Sequence, residues 1–229
     1  MKDLLKTTIA LIIFIVASLA ALTLARNFNR RPSVLLTSTE CSPPCWYNIH
    51  PGQTTSSKVY TILDQFTGVN KDTILGEYNH NGELIKIFWF FQWPVEDGMG
   101  SVNIDDQDRV TAINISTVNS LQLGDLFDKL GEPETYWTGI GQRDDGVRYL
   151  TIVLLSPSKG YAAEVVIETK AGVNQVEIKT STPVFRVTYF SPEMYRELLE
   201  TKIIIDQSPS RRPPLQKWSG FGAIPFKQE

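Results

Sequence analysis

The chain has 229 residues, of which 42% are hydrophobic and 21% are charged. This balance supports a packed core and excludes a wholly disordered chain. The formal net charge is −3, and no run of lysine and arginine lies beside aromatic residues, which excludes a surface built for nucleic acid. With two cysteines and two histidines, the chain has few residues that can act as nucleophiles or metal ligands.

The N-terminal segment 7–25 is predicted to attach the protein to a membrane. It holds nineteen consecutive residues without a charge, which reaches the ~18 that a membrane-spanning helix needs. Its apolar residues surround the helix, unlike those of an amphipathic surface helix. An uncleaved transmembrane anchor is the favoured interpretation, with a cleaved signal peptide and a buried helix as alternatives. Residues 1–6 are then a short flank and 26–40 a linker.

Two signals disagree about the side of the membrane on which the body lies. Three arginines follow the apolar segment and two lysines precede it, which slightly favours a cytoplasmic body. A disulfide between Cys41 and Cys45 would instead require an oxidising compartment. We give the cysteines more weight and predict a single-pass protein of the cell membrane whose body is extracytoplasmic.

The cysteines belong to a short, proline-stiffened loop that ends at Trp46. Cys41 and Cys45 are separated by three residues, two of them proline, which is unlike the helix-opening C-x2-C of thioredoxin-type sites. A zinc site would have to use Cys41, Cys45, His50 and His80 together, at spacings that differ from those of zinc fingers. We predict a structural disulfide worth about 2 kcal/mol or less.

Two apolar stripes predict two short helices 64 residues apart, each with the spacing i, i+3, i+4, i+7. Thr54 or Thr55 is placed to cap the first helix, and Gly131 and Pro133 are placed to end the second. The stripes are Val59, Ile62, Leu63 and Phe66, and Leu123, Leu126, Phe127 and Leu130.

Turns and strands show the same offset. Asn81-Gly82 and Asp145-Gly146 are 64 residues apart and favour type I′ hairpin turns. They precede the β-rich runs Leu84–Trp93 and Arg148–Leu155. A third pair of predicted strands matches at an offset of 63: Val110–Ile115 and Val173–Ile178.

These features predict an α+β fold in which an N-terminal transmembrane helix precedes two similar helix-plus-antiparallel-sheet repeats. A last strand and a helix that begins after Ser191 complete the second repeat. The predicted segments of the body are 41–116 for the first α+β repeat, 117–203 for the second repeat with its C-terminal helix, and 204–229 for a Pro-rich linker with an aromatic and glycine-rich tail.

Aromatic residues supply the candidate interaction surface. The run Leu84–Trp93 places aromatic side chains on both faces of a strand, which indicates burial on both faces or one exposed recognition face. The glycine-rich tail around Trp218 and Phe221 either folds back onto the body or binds a partner. The candidate surface residues are Trp89, Trp93, Trp218 and Phe221.

The segments Pro51–Thr54 and Leu123–Pro133, each at a predicted amphipathic helix, resemble the helix of the SmpA/OmlA outer-membrane-assembly lipoproteins. That family places a helical pair on a three-stranded antiparallel sheet, and a tandem of the unit is similar to the β-lactamase-inhibitor-protein architecture. The cysteine loop also resembles uncharacterised membrane-anchored bacterial proteins. The chain departs from the lipoproteins because it lacks their lipidated cysteine, so a role in outer-membrane assembly is not carried over.

Known catalytic motifs are not found in the sequence. Asp105, Asp106 and Asp108 lie in a predicted hairpin turn, and His50 and His80 lack a serine or cysteine partner in a known motif. Gly139-Ile140-Gly141 lacks the third glycine of a phosphate-binding loop. We therefore predict no catalytic residue, no cofactor site and no metal site.

The resulting functional hypothesis is a membrane-anchored extracytoplasmic binding or scaffolding protein that is not an enzyme and whose ligand is unknown. One alternative is an inhibitor-like module that docks a secreted enzyme through its sheet face. A second alternative is a hydrolase with an unrecognised site, which a deep pocket with convergent carboxylates and a histidine would favour. Predicted contacts are the membrane, through residues 7–25, and a protein partner.

Overall fold

A computed structural model describes residues 15, 18, 41, 43–92, 98–117, 121–170, 172–205 and 214–226. The predicted anchor 7–25 and its flanks 1–6 and 26–40 lie outside these residues, apart from residues 15 and 18. Within the described residues, no helix has both the length and the apolar content that crossing a membrane requires. Contacts divide the chain into the units Met1–Pro32 and Ser33–Glu229, and every element below belongs to the second unit.

The described body contains three short α-helices, two 3₁₀ turns and eleven strands. The helices are α1 Ser56–Gln65, α2 Leu123–Leu130 and α3 Tyr195–Glu200, and the 3₁₀ turns are Pro157–Lys159 and Pro192–Met194. The strands are β1 Val69–Tyr78, β2 Leu84–Phe91, β3 Met99–Ile104, β4 Val110–Ser116, β5 Thr135–Gln142, β6 Arg148–Ser156, β7 Tyr161–Thr169, β8 Gln175–Ile178, β9 Arg186–Phe190, β10 Gln216–Lys217 and β11 Gly222–Pro225.

The predicted fold class, a transmembrane helix followed by two α+β repeats, is wrong. Nine strands form one antiparallel sheet in the order β1-β2-β3-β4-β9-β7-β6-β5-β10, and β8 pairs with β11 in a small second sheet. The sheet continues across the predicted repeat boundary because β4 pairs with β9, with Ile113 opposite Tyr189. The body is therefore mostly antiparallel sheet, and its short helices pack onto that sheet.

The third matched pair of strands explains part of this error. Val110–Ile115 falls in β4 at the centre of the main sheet, whereas Val173–Ile178 overlaps β8, which lies in the second sheet. The position beside β4 is taken by β9. A period-2 pattern identifies a strand but does not name its partner, so the sequence match suggested a correspondence that pairing does not support.

Both predicted hairpins form, but their turns are of another type. The Gly82 N–H donates to the Asn79 carbonyl (3.0 Å), and the Gly146 N–H donates to the Arg143 carbonyl (2.9 Å). Positive φ is found at the glycines, +81° and +84°, and not at Asn81 or Asp145. A type I turn followed by a left-handed glycine fits these values, because a type I′ turn needs two positive φ angles.

The inner face of the sheet carries the main core, and the two predicted helix stripes pack there. Val59 and Leu63 of α1 are buried, with Ile62 and Phe66 packed beside them. All four stripe residues of α2 are buried in the same cluster. Burying their apolar surface against the sheet stabilises helices too short to persist alone in water. The predicted N-cap bond is not made; instead, the His50 N–H donates to Thr54 Oγ1 (2.8 Å).

The outer face carries a smaller core that covers the second half of the sheet. Leu198 of α3 and the following Ile204 and Ile205 are buried against it. Phe190 stacks on Tyr195 with ring centroids 5.8 Å apart. The sheet residues of this cluster come from β4 to β7 and β9: Ala112, Trp137, Val153, Leu155, Ala162 and Phe190.

The tail folds back onto the body, as one of the two sequence interpretations predicted. Within it, β10 pairs with β5, and β11 pairs with β8. Trp218 is buried, and its backbone N–H donates to the Glu134 carbonyl (3.0 Å). Residues 214–226 therefore belong to the packed body and are not only an extension of a linker.

Candidate binding surface on the outer face

Four apolar side chains on the first three strands share the outer face of the sheet, and we call this set the open face: Leu75, Phe88, Phe90 and Met99. Leu75 of β1 lies opposite Phe88 of β2, and Phe90 of β2 lies opposite Met99 of β3. Phe88 and Phe90 are two residues apart on one strand and therefore point to the same side.

The open face is exposed. Leu75 retains 53% of its accessible surface, Phe90 48% and Met99 36%, while Phe88 is half-buried. On the same strand Ile87, Trp89 and Phe91 alternate with these residues and are buried on the inner face. Neighbouring exposed apolar side chains of this size are typical of a surface that another molecule covers.

The same face of the second half of the sheet is already covered. There, α3 and the residues after it bury Trp137, Val153 and Phe190. Among the described residues, no helix packs on the open face. The contrast makes the open face the strongest candidate for contact with a partner.

A polar strip separates the open face from the covered half. Thr188 Oγ1 lies 2.8 Å from Asn114 Oδ1, and Asn114 Nδ2 donates to Asn103 Oδ1 (3.0 Å). Next to them Arg186 and Glu164 form an ion pair at 2.5 Å. These groups pair with one another, so the strip forms a polar boundary to the apolar patch.

Strand β1 is one edge of the main sheet. In the part of the chain that the structure describes, its outer side pairs with no other strand, whereas β5 near the other edge is paired with β10. An unpaired edge presents N–H and carbonyl groups to which an extended peptide can add. The edge and the open face are adjacent because Leu75 belongs to both.

Only part of the predicted interaction surface is at the surface. Trp89 is fully buried and stacks on Trp46 with centroids 5.5 Å apart, and Trp218 is buried against Phe127. Phe221 remains exposed, and Trp93 lies outside the described residues. The alternation along β2 already separated Trp89 from Phe90, but it did not show which face would be covered.

A cavity of about 480 Å³ lies beside α2. Its lining includes the carboxylates of Asp125, Asp128 and Glu132, and the rings of Phe127 and Phe221. No histidine is among the described residues that line it. The described lining thus brings carboxylates together but does not include the histidine whose presence would have favoured the hydrolase alternative.

The predicted disulfide joins Cys41 and Cys45, whose Cα atoms are 5.8 Å apart. His50 lies beside it, with Nε2 3.5 Å from Cys45 Sγ. The structure therefore gathers three of the four residues that the zinc alternative considered. His80 lies in the exposed turn between β1 and β2, apart from this cluster.

Comparisons of the chain with models of protein families, with curated proteins and with solved structures found no match. The resemblance to the SmpA/OmlA lipoproteins consequently stays a prediction from short motifs. The geometry of the open face, the β1 edge and the cysteine loop is what supports a functional conclusion.

Proposed function

We propose that this chain is an extracytoplasmic binding protein, attached to a membrane through residues 7–25, that captures another polypeptide on the open face and the adjoining edge of β1. The observation that carries the proposal is the exposure of Leu75, Phe90 and Met99 on a face whose other half is buried by α3.

An extended segment is the form of partner that fits this surface best. Main-chain groups of such a segment can pair with the free side of β1, while its alternate side chains pack on Leu75 and reach Phe90. Aromatic and methionine side chains are enriched in the centres of protein interfaces, and Phe90 and Met99 lie opposite each other there. The paired residues Glu77 and Lys86 on one side of the patch, and Ser101 opposite Phe88, are polar, as the rim of an interface usually is.

The placement outside the cytoplasm is supported by the disulfide between Cys41 and Cys45. Disulfides persist in oxidising compartments and are rare in the cytosol. Membrane attachment is supported by the uncharged length of residues 7–25. Attachment would keep the body at the membrane, where a membrane or secreted protein can meet it.

The test is a pull-down from detergent-solubilised membranes with the full chain as bait. Leu75→Asp combined with Phe90→Asp should abolish capture of the partner because charges would replace the apolar centre of the surface. Phe185→Asp is the matched control, since Phe185 is 46% exposed but lies outside the open face. Equal capture by wild type and the double variant, with both folded, would refute the proposal.

The inhibitor-like alternative uses the same face and differs in the partner. If the captured protein is an enzyme, adding the wild-type chain should lower its activity, and the double variant should not. Unchanged enzyme activity at saturating bait would favour scaffolding over inhibition.

A further inference from the structure

The cysteine loop places three potential metal ligands close together. The ligand atoms of Cys41, Cys45 and His50 all lie within 4.8 Å of one another. Cys45 is buried, whereas Cys41 and His50 are half-buried, so the cluster opens to solvent on one side. Thiolate sulfur and imidazole nitrogen are the ligands that Zn²⁺ prefers in proteins.

The distance between Cys45 and His50 suits a shared ion. Zinc–sulfur and zinc–nitrogen bonds of about 2.3 and about 2.05 Å at a tetrahedral angle separate the two ligand atoms by about 3.6 Å. Cys45 Sγ and His50 Nε2 are 3.5 Å apart while the disulfide is intact. Once the disulfide opened, the two sulfur atoms would have to separate to about 3.8 Å by the same geometry. Cys41 Sγ, which lies within 4.8 Å of the His50 ligand nitrogen, would have to settle about 3.6 Å from it.

Backbone hydrogen bonds hold this loop independently of the disulfide. The Trp46 N–H donates to the Ile49 carbonyl (3.1 Å), and the Ile49 N–H donates to the Trp46 carbonyl (2.8 Å). The His50 N–H donates to Thr54 Oγ1, which fixes the backbone that carries the imidazole. Trp46 is itself anchored in the core. The positions of Cys45 and His50 should therefore persist after reduction.

We propose that reduction converts the disulfide loop into a Zn²⁺ site formed by the thiolates of Cys41 and Cys45 and by Nε2 of His50. A dithiol reductant would transfer two electrons and two protons to the disulfide and become a disulfide itself. Binding of Zn²⁺ then releases the two thiol protons, and water occupies the fourth position. The Asn48 N–H, which donates to Cys41 Sγ (3.4 Å), would stabilise that thiolate.

The loop would thus respond to both redox state and zinc. In the oxidised form both sulfur atoms are consumed by their mutual bond, so the two states exclude each other. The site is separate from the open face and does not depend on the proposed binding function.

The experiment titrates the full chain in detergent with Zn²⁺ in competition with a chromophoric chelator, under anaerobic conditions. The protein reduced with a phosphine should bind one Zn²⁺ and release two protons, whereas the oxidised protein should bind it at least about 100-fold more weakly, because both thiolate ligands are lost. His50→Gln should weaken binding by more than the about tenfold typical of losing an outer-shell partner. The matched control, His80→Gln, should bind like the wild type.

The proposal fails if the reduced wild type binds no stoichiometric Zn²⁺, if the oxidised protein binds equally well, or if His50→Gln binds as tightly as the wild type. Tryptophan fluorescence of each variant checks that the loop beside Trp46 remains folded. Should His50→Gln lose the fold, nitrogen NMR of the reduced wild-type histidines supplies the answer. Zn²⁺ should then shift the His50 imidazole and leave His80 unchanged, and the absence of that shift would refute the site.

Discussion

The two halves of the main sheet resemble each other on the inner face and differ on the outer face. In the first half β1 to β4 lie in chain order; in the second half β5, β6, β7 and β9 run from near the opposite edge to the centre. Each half has a helix packed on the inner face and a hairpin closed by a glycine with positive φ. Only the second half has α3 on its outer face and β10 along its outermost long strand.

The residues just before the two inner helices also accept similar backbone hydrogen bonds. The Val110 N–H donates to the Thr54 carbonyl (2.8 Å), just before α1, and the Val184 N–H donates to the Leu121 carbonyl (2.9 Å), just before α2. The difference on the outer face thus arises from residues 195–205, which cover the second half, while residues 216–217 pair along β5. It teaches that an inner core can be built the same way twice while the outer surface is determined by which later segment packs there.

The largest expected effect is a difference in stability between substitutions on the two faces of β2. Trp89→Ala should lower the free energy of unfolding by about 3–5 kcal/mol because it removes a fully buried ring that stacks on Trp46. Phe90→Ala, one residue further along, should change it by less than about 0.5 kcal/mol because that ring is half-exposed. Urea denaturation of both variants provides the measurement, and similar losses would show that the open face is structurally buried.

The next largest effect on stability is expected at α3, which covers the outer face of the second half of the sheet. Leu198→Ala should destabilise the body by about 2 kcal/mol, the lower end for a buried leucine, because α3 is short and lies at the surface. Loosening α3 should also expose Phe190 and Trp137, which raises the fluorescence of a bound hydrophobic dye. If dye fluorescence stays at the wild-type level while stability falls, α3 does not act as the cover.

A smaller loss of stability is expected from changing the turn glycine of either hairpin, and the two losses should be equal. Gly82→Ala and Gly146→Ala should each cost about 1 kcal/mol, since both sites have positive φ. A Cβ at position 82 would have no heavy atom within 4 Å, and one at position 146 would meet Gln142 Nε2 at 3.8 Å, an ordinary van der Waals contact. The two losses should agree within about 0.5 kcal/mol because only the backbone penalty acts. Thermal unfolding of the two variants checks this, and a clear inequality would show that the turns are supported differently.

The smallest effect concerns Glu134, a carboxylate just before β5 in the second half of the sheet. Hydrogen bonds from Ser158, above all from its side chain, hold the pKa of Glu134 below its usual value. A lowered pKa contributes stability above the ordinary carboxyl range, and that contribution is lost as the pH falls through the folded-state pKa. Glu134→Gln should therefore lower the melting temperature slightly at about pH 7 and by less at about pH 3. An equal loss at both values would assign the effect to packing instead of charge.

Several local features could be predicted because their causes lie within a few residues. The stripe on Leu123, Leu126, Phe127 and Leu130 marks the face that α2 buries. The glycines at 82 and 146 mark chain reversals, although the turn type was wrong because the aspartate and asparagine before them keep negative φ. Cys41 and Cys45 are close enough in sequence that their pairing needs no long-range information.

The candidate site could be predicted only in part. The aromatic run in β2 was identified, and its alternation placed Trp89 and Phe90 on opposite faces. Which face stays open depends on α3, more than 100 residues away in the chain. His50 was considered with the cysteines, but only the folded loop brings it to 3.5 Å from Cys45 Sγ.

By itself, the sequence determined the elements of this protein: two short amphipathic helices, glycine-closed hairpins, alternating strands and a disulfide loop. Periodicity, turn chemistry and short loop closure act over a few residues, so they can be recognised without knowing the fold. Tertiary structure alone decided that β4 pairs with β9, that β8 leaves the main sheet for β11, and that Phe90 stays exposed. These outcomes depend on which distant apolar surfaces bury one another, and a local pattern offers many equivalent partners for that choice.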